Sequence, residues 1–299
     1  MRLISAYRAY RALSAEQKQV LKDKRLEGER TPQDWLGLLW GLAEYDREAD
    51  AVRTQASVVM IVGPILTFLA LVFGGAMLSP DGPPFLLAVL VTAAVAIPAV
   101  AVFIATRRAD LADQLRRIVV PFIALIGDDM APGRTLRLRL DLRGGAVKDK
   151  LREKLPKYQK AGRTIRESVY ADPWMDGSAS LDDSAQLHWR LDDEVHQYRI
   201  SKRNARGKTK MKTKYKVRTL LDFALKLPAA GYRLREPGTE TGDGTQVRSD
   251  DKWIRLRGRA RRVQKGLSPD TPALDAVLET LTGLYGRVEP IAKQETHHA

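Results

Sequence analysis

The sequence predicts an α+β membrane protein: a two-helix transmembrane hairpin with a helical stalk, a cytoplasmic antiparallel β-rich domain and a C-terminal helix. Three observations carry that expectation. Two long runs, Ala56–Leu78 and Phe85–Thr106, contain no charged residue. The segment Lys208–Leu227 alternates in polarity with a period of two, the side-chain period of extended chain. Basic residues are also concentrated in one region. Residues 134–266 hold 34 Lys and Arg against 17 Asp and Glu, whereas residues 1–133 hold 14 of each.

These observations divide the chain into N-terminal cytoplasmic helices (1–55), a transmembrane hairpin (56–106, with spans 56–78 and 85–106), a stalk (107–131), a basic β-rich domain (132–266) and a terminal helix with its tail (267–299). Each uncharged run, taken as helix, covers roughly 33 Å, enough for a hydrocarbon core of about 30 Å. Gly63-Pro64, Gly74-Gly75 and Pro98 fall inside the runs, where neighbouring groups can re-satisfy a broken helix. The turn Ser79–Pro84 carries no Lys or Arg, while Arg53 precedes the first run and Arg107, Arg108, Arg116 and Arg117 follow the second. By the positive-inside rule both termini face the cytoplasm, which predicts a multi-pass protein of the plasma membrane.

Along the chain, Leu3, Tyr7, Tyr10 and Leu13 form a helical stripe, and Ser14 is placed to cap a second short helix running to Leu26. Thr31-Pro32-Gln33-Asp34 opens a third: a Thr cap, Pro at the first helical position and an acid in the first turn. Trp35, Leu36, Leu39, Trp40 and Leu42 make its early turns apolar. Leu111, Leu115, Ile118, Val119 and Phe122 repeat that stripe after the second run, and the two are expected to pair as the stalk.

Leu136–Leu142 alternates strictly and predicts a half-buried strand. Lys148–Lys160 reads as a short helix or loop, Thr164–Tyr170 as a strand, and Asp172-Pro173-Trp174 with Asp176-Gly177 as turns. Gln186–Leu191 alternates again, and Glu194–Ile200 is expected to continue it beyond a bend at Asp192-Asp193. The length of Lys208–Leu227 predicts a bend or bulge within it. Gly238–Gly244 reads as a loop, Lys252–Val263 as a basic strand, and Ser268-Pro269-Asp270 as the cap of the last helix.

No catalytic, metal or cofactor set emerges. The chain has no cysteine, so disulfides, thiolate catalysis and cysteine-bound zinc are excluded. Its four histidines, His188, His196, His297 and His298, accompany no nucleophile motif. The acidic clusters Asp182-Asp183, Asp192-Asp193-Glu194 and Asp250-Asp251 read as solvent-facing turns, and Arg206-Gly207-Lys208-Thr209 lacks the spacing of a phosphate loop. The expected function is non-enzymatic.

The candidate binding residues are Arg199, Lys202, Arg203, Arg206, Lys208, Lys210, Lys212, Lys214, Lys216 and Arg218, ten cations with no acid among them. Edge protection of a sheet needs one or two lysines, and here six cations recur at strand spacing from Lys208 to Arg218. The sequence therefore predicts a membrane-anchored binding or scaffold protein with an anionic partner. A lipid surface is favoured by the tether, with nucleic acid or an acidic protein after it. The alternative expectation is a homo-oligomeric two-helix effector or pore gated by the cytoplasmic domain.

Overall fold

The computed structural model describes residues 2–75, 83–203, 207–235, 245–267 and 273–291. The chain forms two compact units, one of residues 1–23 and 40–111, the other of residues 24–39 and 112–299.

The first unit is helical. It holds α1 (Arg2–Ala12), α2 (Ala15–Asp23), most of α3 (Pro32–Gly75) and α4 (Pro83–Arg108). Ser14 and Gln17 cap α2 reciprocally: the Gln17 amide donates to Ser14 Oγ at 3.1 Å and the Ser14 amide to Gln17 Oε1 at 2.8 Å. Tyr10 and Tyr45 pack with ring centroids 5.8 Å apart. Arg53 bridges Asp50 at 2.9 Å and Asp110 at 2.7 Å, and the Asp46 carboxylate accepts the Leu111 amide.

Among the described residues, no helix is long and apolar enough to cross a membrane. This overturns the transmembrane hairpin, the topology with both termini cytoplasmic and the multi-pass membrane location expected from the sequence. The described side chains of α3 include Asp34, Glu44, Asp46, Arg47, Glu48, Asp50 and Arg53. Most side chains of the two expected spans and most of the expected turn Ser79–Pro84 lie outside the described residues.

The stalk is overturned as well. Residues from Ala112 onward belong with the sheet unit, which contains a π-helical turn at Leu115–Val119, α5 (Val120–Asp128) and α6 (Ala273–Tyr285). Trp35, fully buried, donates its indole N–H to the Leu136 carbonyl at 3.1 Å. Phe122 packs edge-on against Trp189 at 5.3 Å and against Phe223 at 6.2 Å. Trp35 and Phe122, one from each expected stripe, thus pack on the sheet.

The sheet is antiparallel. Its strands are β1 (Arg25–Arg30), β2 (Leu136–Asp141), β3 (Leu151–Lys154), β4 (Tyr158–Lys160), β5 (Arg163–Ser180), β6 (Gln186–Arg203), β7 (Thr209–Pro228), β9 (Gln246–Ser249) and β10 (Trp253–Lys265), in the order β1-β2-β5-β6-β7-β10-β9 with β3 and β4 also on β5. A small pair, β8 (Tyr232–Leu234) and β11 (Val288–Pro290), stands apart from it. One face is apolar, with Leu136, Leu138, Met175, Trp189, Phe223 and Leu256 all buried. The other face is polar. The fold is thus α+β with a large antiparallel sheet, as the alternation in the sequence predicts.

Several local readings change, among them the bend expected at Asp192-Asp193, which lies inside the unbroken β6, and the helix or loop expected at Lys148–Lys160, where β3 and β4 form. β1 replaces the end of the expected second helix and pairs with β2. β5 runs unbroken through Asp172-Pro173-Trp174 and Asp176-Gly177, with an extra residue at Trp174 between the pairs Pro173–Asp192 and Met175–Leu191. Such a bulge exchanges which parity faces inward, so Asp172 and Trp174 are buried before it and Met175 and Gly177 after it. β7, in contrast, keeps continuous register with β6 from Thr209 to Lys226 and contains no bulge.

Candidate functional site

The cations singled out by the sequence fall on the last third of β6 and the first third of β7. Residues paired directly across strands share a face. Lys210 is paired with Lys202, Lys212 with Ile200, Lys214 with Tyr198 and Lys216 with His196. On the other side of β7, Lys265 of β10 is paired with Lys216. The structure therefore gathers Lys202, Lys210, Lys212, Lys214, Lys216 and Arg218 on one face and adds Lys265. Arg199 and Arg203, paired with Thr213 and Thr209, lie on the opposite face. Lys208 precedes β7 and is exposed, and Arg206 lies outside the described residues.

Beyond Tyr215 this part of the sheet has no core: Thr209–Lys214 are exposed on both faces. Alternate lysines stand ~6.7 Å apart, within the Debye length of about 8 Å at physiological salt. Each neighbouring pair costs about 0.6 kcal/mol before screening, taking the dielectric of water. Among the described residues none of Lys202, Lys210, Lys212, Lys214, Lys216 and Lys265 has a salt bridge, although Arg218 pairs with Glu194 at 2.9 Å. Farther along the same face several cations are compensated. Arg257 and Arg259 reach Asp222, Arg190 reaches Asp192 and Arg255 reaches Asp250.

Aromatic and apolar groups border the lysine row. Register runs from Tyr158 of β4 to Ile165, Ile200 and Lys212, and from Glu167 to Tyr198 and Lys214. Tyr158 is exposed, and Tyr198 stacks on His196 at 6.3 Å. His196 bridges Glu167 through Nδ1 at 2.7 Å and Glu194 through Nε2 at 2.8 Å. Both of its ring nitrogens are thus engaged. His297 and His298 lie outside the described residues, as do the expected Gly238–Gly244 loop and the Ser268-Pro269-Asp270 cap.

Sequence reasoning missed a buried ionic group beneath the sheet. Lys150 Nζ lies 2.5 Å from Asp172 and 3.1 Å from Asp141, and also donates to the Gly144 carbonyl at 3.2 Å. Burial pushes the Asp172 carboxyl above its usual range, and the Asp141 carboxylate competes for the same ammonium. Burial also pushes Asp141 up, but hydrogen bonds from Arg143 and the charge of Lys150 outweigh it and hold that carboxyl down at about 2.

Asp193, opposite Asp172, is buried and accepts a 2.6 Å hydrogen bond from Thr219 Oγ1. Burial pushes its carboxyl up to about 6. The signal for it was in the sequence: three consecutive acids inside a strand must turn the middle one to the same side as Leu191 and Val195. Asp183 and Asp250 are occupied by the fold. Asp183 accepts from Tyr232 Oη at 2.7 Å, and Asp250 caps the amides of Lys252 and Trp253.

No protein-family model, curated protein or solved structure matches the chain.

Proposed function

We propose that the lysine-bearing end of the β5–β6–β7 sheet binds an anionic polymer, with single-stranded nucleic acid as the class its surface suits best. The observation that carries this reading is the row Lys210, Lys212, Lys214 and Lys216, on one exposed face with Lys202 and Lys265, without a salt bridge among the described residues. A linear row at strand pitch offers successive contacts to a repeating charge, and counterion release would offset the repulsion among the lysines. Tyr198 and Tyr158 on the same face add flat rings beside that row. Base stacking on such rings is worth about 1–3 kcal/mol per base.

The preference for an anionic lipid surface rested on a membrane tether, and it loses that support with the hairpin. Fluorescence anisotropy of the full chain with a labelled single-stranded oligonucleotide tests the reading, with phosphatidylserine vesicles as the comparison. Saturable oligonucleotide binding that weakens steeply with salt is expected. Binding to the vesicles alone would replace the polymer by a lipid surface.

A further inference from the structure

A second group of cations lies on the same polar face, starting at Arg218 where the lysine row ends. Two irregularities of strand pairing flank it. β3 carries an extra residue at Arg152, between the pairs Leu151–Tyr170 and Glu153–Val169, and β5 carries its own at Trp174. Bulges re-aim side chains, and Arg152 lines a depression of about 300 Å³ together with Arg190, Arg218 and Arg261. Ala171, Pro173 and Leu220 also line it. They present small or apolar side chains, so the polar groups of the lining are these guanidinium groups and the carboxyl groups of Asp172, Asp192, Asp193 and Glu194.

We propose that this depression binds a phosphate-monoester dianion. Arg190 and Arg218 are already oriented. Arg190 holds Asp192 through Nε alone, at 2.9 and 3.0 Å, and Arg218 holds Glu194 through Nη1 at 2.9 Å. A guanidinium has five N–H donors, so each retains several for a ligand. Arg152 and Arg261 make no ion pair among the described residues. With Asp192 and Glu194 neutralised by Arg190 and Arg218, and Asp172 by Lys150, two cations remain to face a dianion. Asp193, the one other acid of the lining, is buried and hydrogen-bonded to Thr219. Burial pushes that carboxyl up to about 6, so it opposes an anion less as the pH falls through that value. Planar, multidentate arginines match the three terminal oxygens of a phosphate monoester.

Two sources carry this chemistry: a small phosphorylated molecule and the terminal phosphate of a nucleic-acid strand. Isothermal titration of the full chain with inorganic phosphate tests the site without any polymer, so its outcome is separate from that of the lysine row. Saturable binding is expected, weakened roughly tenfold or more in Arg152→Gln and in Arg261→Gln and unchanged in Lys212→Gln. Both arginines are exposed, and unchanged melting temperatures would show that the variants fold. A 5′-phosphorylated oligonucleotide binding more tightly than its 5′-hydroxyl form, with the difference lost in Arg152→Gln, identifies a strand end as the source. Equal binding of the two forms beside retained phosphate binding identifies the small molecule. Absence of saturable phosphate binding, or binding indifferent to both arginine changes, overturns the proposal.

Discussion

Gly177 of β5 is paired directly with Trp189 of β6, and the indole occupies the space that a side chain at Gly177 would need. A Cβ there would stand 2.3 Å from the Trp189 ring and 2.6 Å from the Arg137 carbonyl. That backbone oxygen belongs to the neighbouring ladder and cannot step aside without breaking pairs. Gly177→Ala is therefore expected to cost about 2–3 kcal/mol in urea denaturation. Ser178→Ala, one residue on and on the polar face, should change stability by less than ~0.5 kcal/mol. Equal effects would show that Trp189 does not depend on the missing side chain.

The same pair shows what the sequence left unread. Asp176-Gly177 carries turn chemistry, and only the partner across the strand reveals the glycine as the seat of an indole. The bulge at Trp174 had a similar effect. It exchanges inward and outward parity within β5, so no single alternation spans Arg163–Ser180 and the segment looked like one short strand followed by turns. β7 has no such interruption, and its alternation was legible end to end. The lysine row follows from that alternation and Lys202 stands among the sequence candidates, whereas Lys265 and Tyr158 come from pairing with distant segments. The sequence does not single out Lys150, because its partner Asp172 lies twenty-two residues away.

Lys150→Met should be strongly destabilising. It leaves Asp172 buried beside Asp141 without the ammonium that both contact, a loss on the order of 3–5 kcal/mol. The double change Lys150→Met with Asp172→Leu removes the stranded charge, and its denaturation midpoint should recover toward the parent. A double variant as unstable as the single one would contradict the pairing.

Asp193 predicts a pH dependence. Its carboxyl titrates near 6 in the folded chain and near 3.9 when unfolded. Between these values the folded state binds more protons, so this group's contribution to stability falls as pH rises through the window. From pH 7.5 down to 5.0 it should add roughly 1 kcal/mol. In Asp193→Asn that increment should be missing from denaturation curves at the two pH values. An increment of the same size in the variant would assign the pH dependence elsewhere.

The most direct measurement is the salt dependence of oligonucleotide binding by the full chain and by a Lys210→Gln, Lys212→Gln, Lys214→Gln variant. All three side chains are exposed in a part of the sheet that has no core, so the melting temperature should stay within a few degrees. Each lysine engaged with a phosphate contributes about 0.7 to the slope of log K against log salt for a single strand. The variant should therefore bind more weakly at low salt and lose roughly 2 from that slope. Identical affinity and slope in parent and variant would leave the lysine row as charge on a sheet edge and would contradict the polymer-binding account.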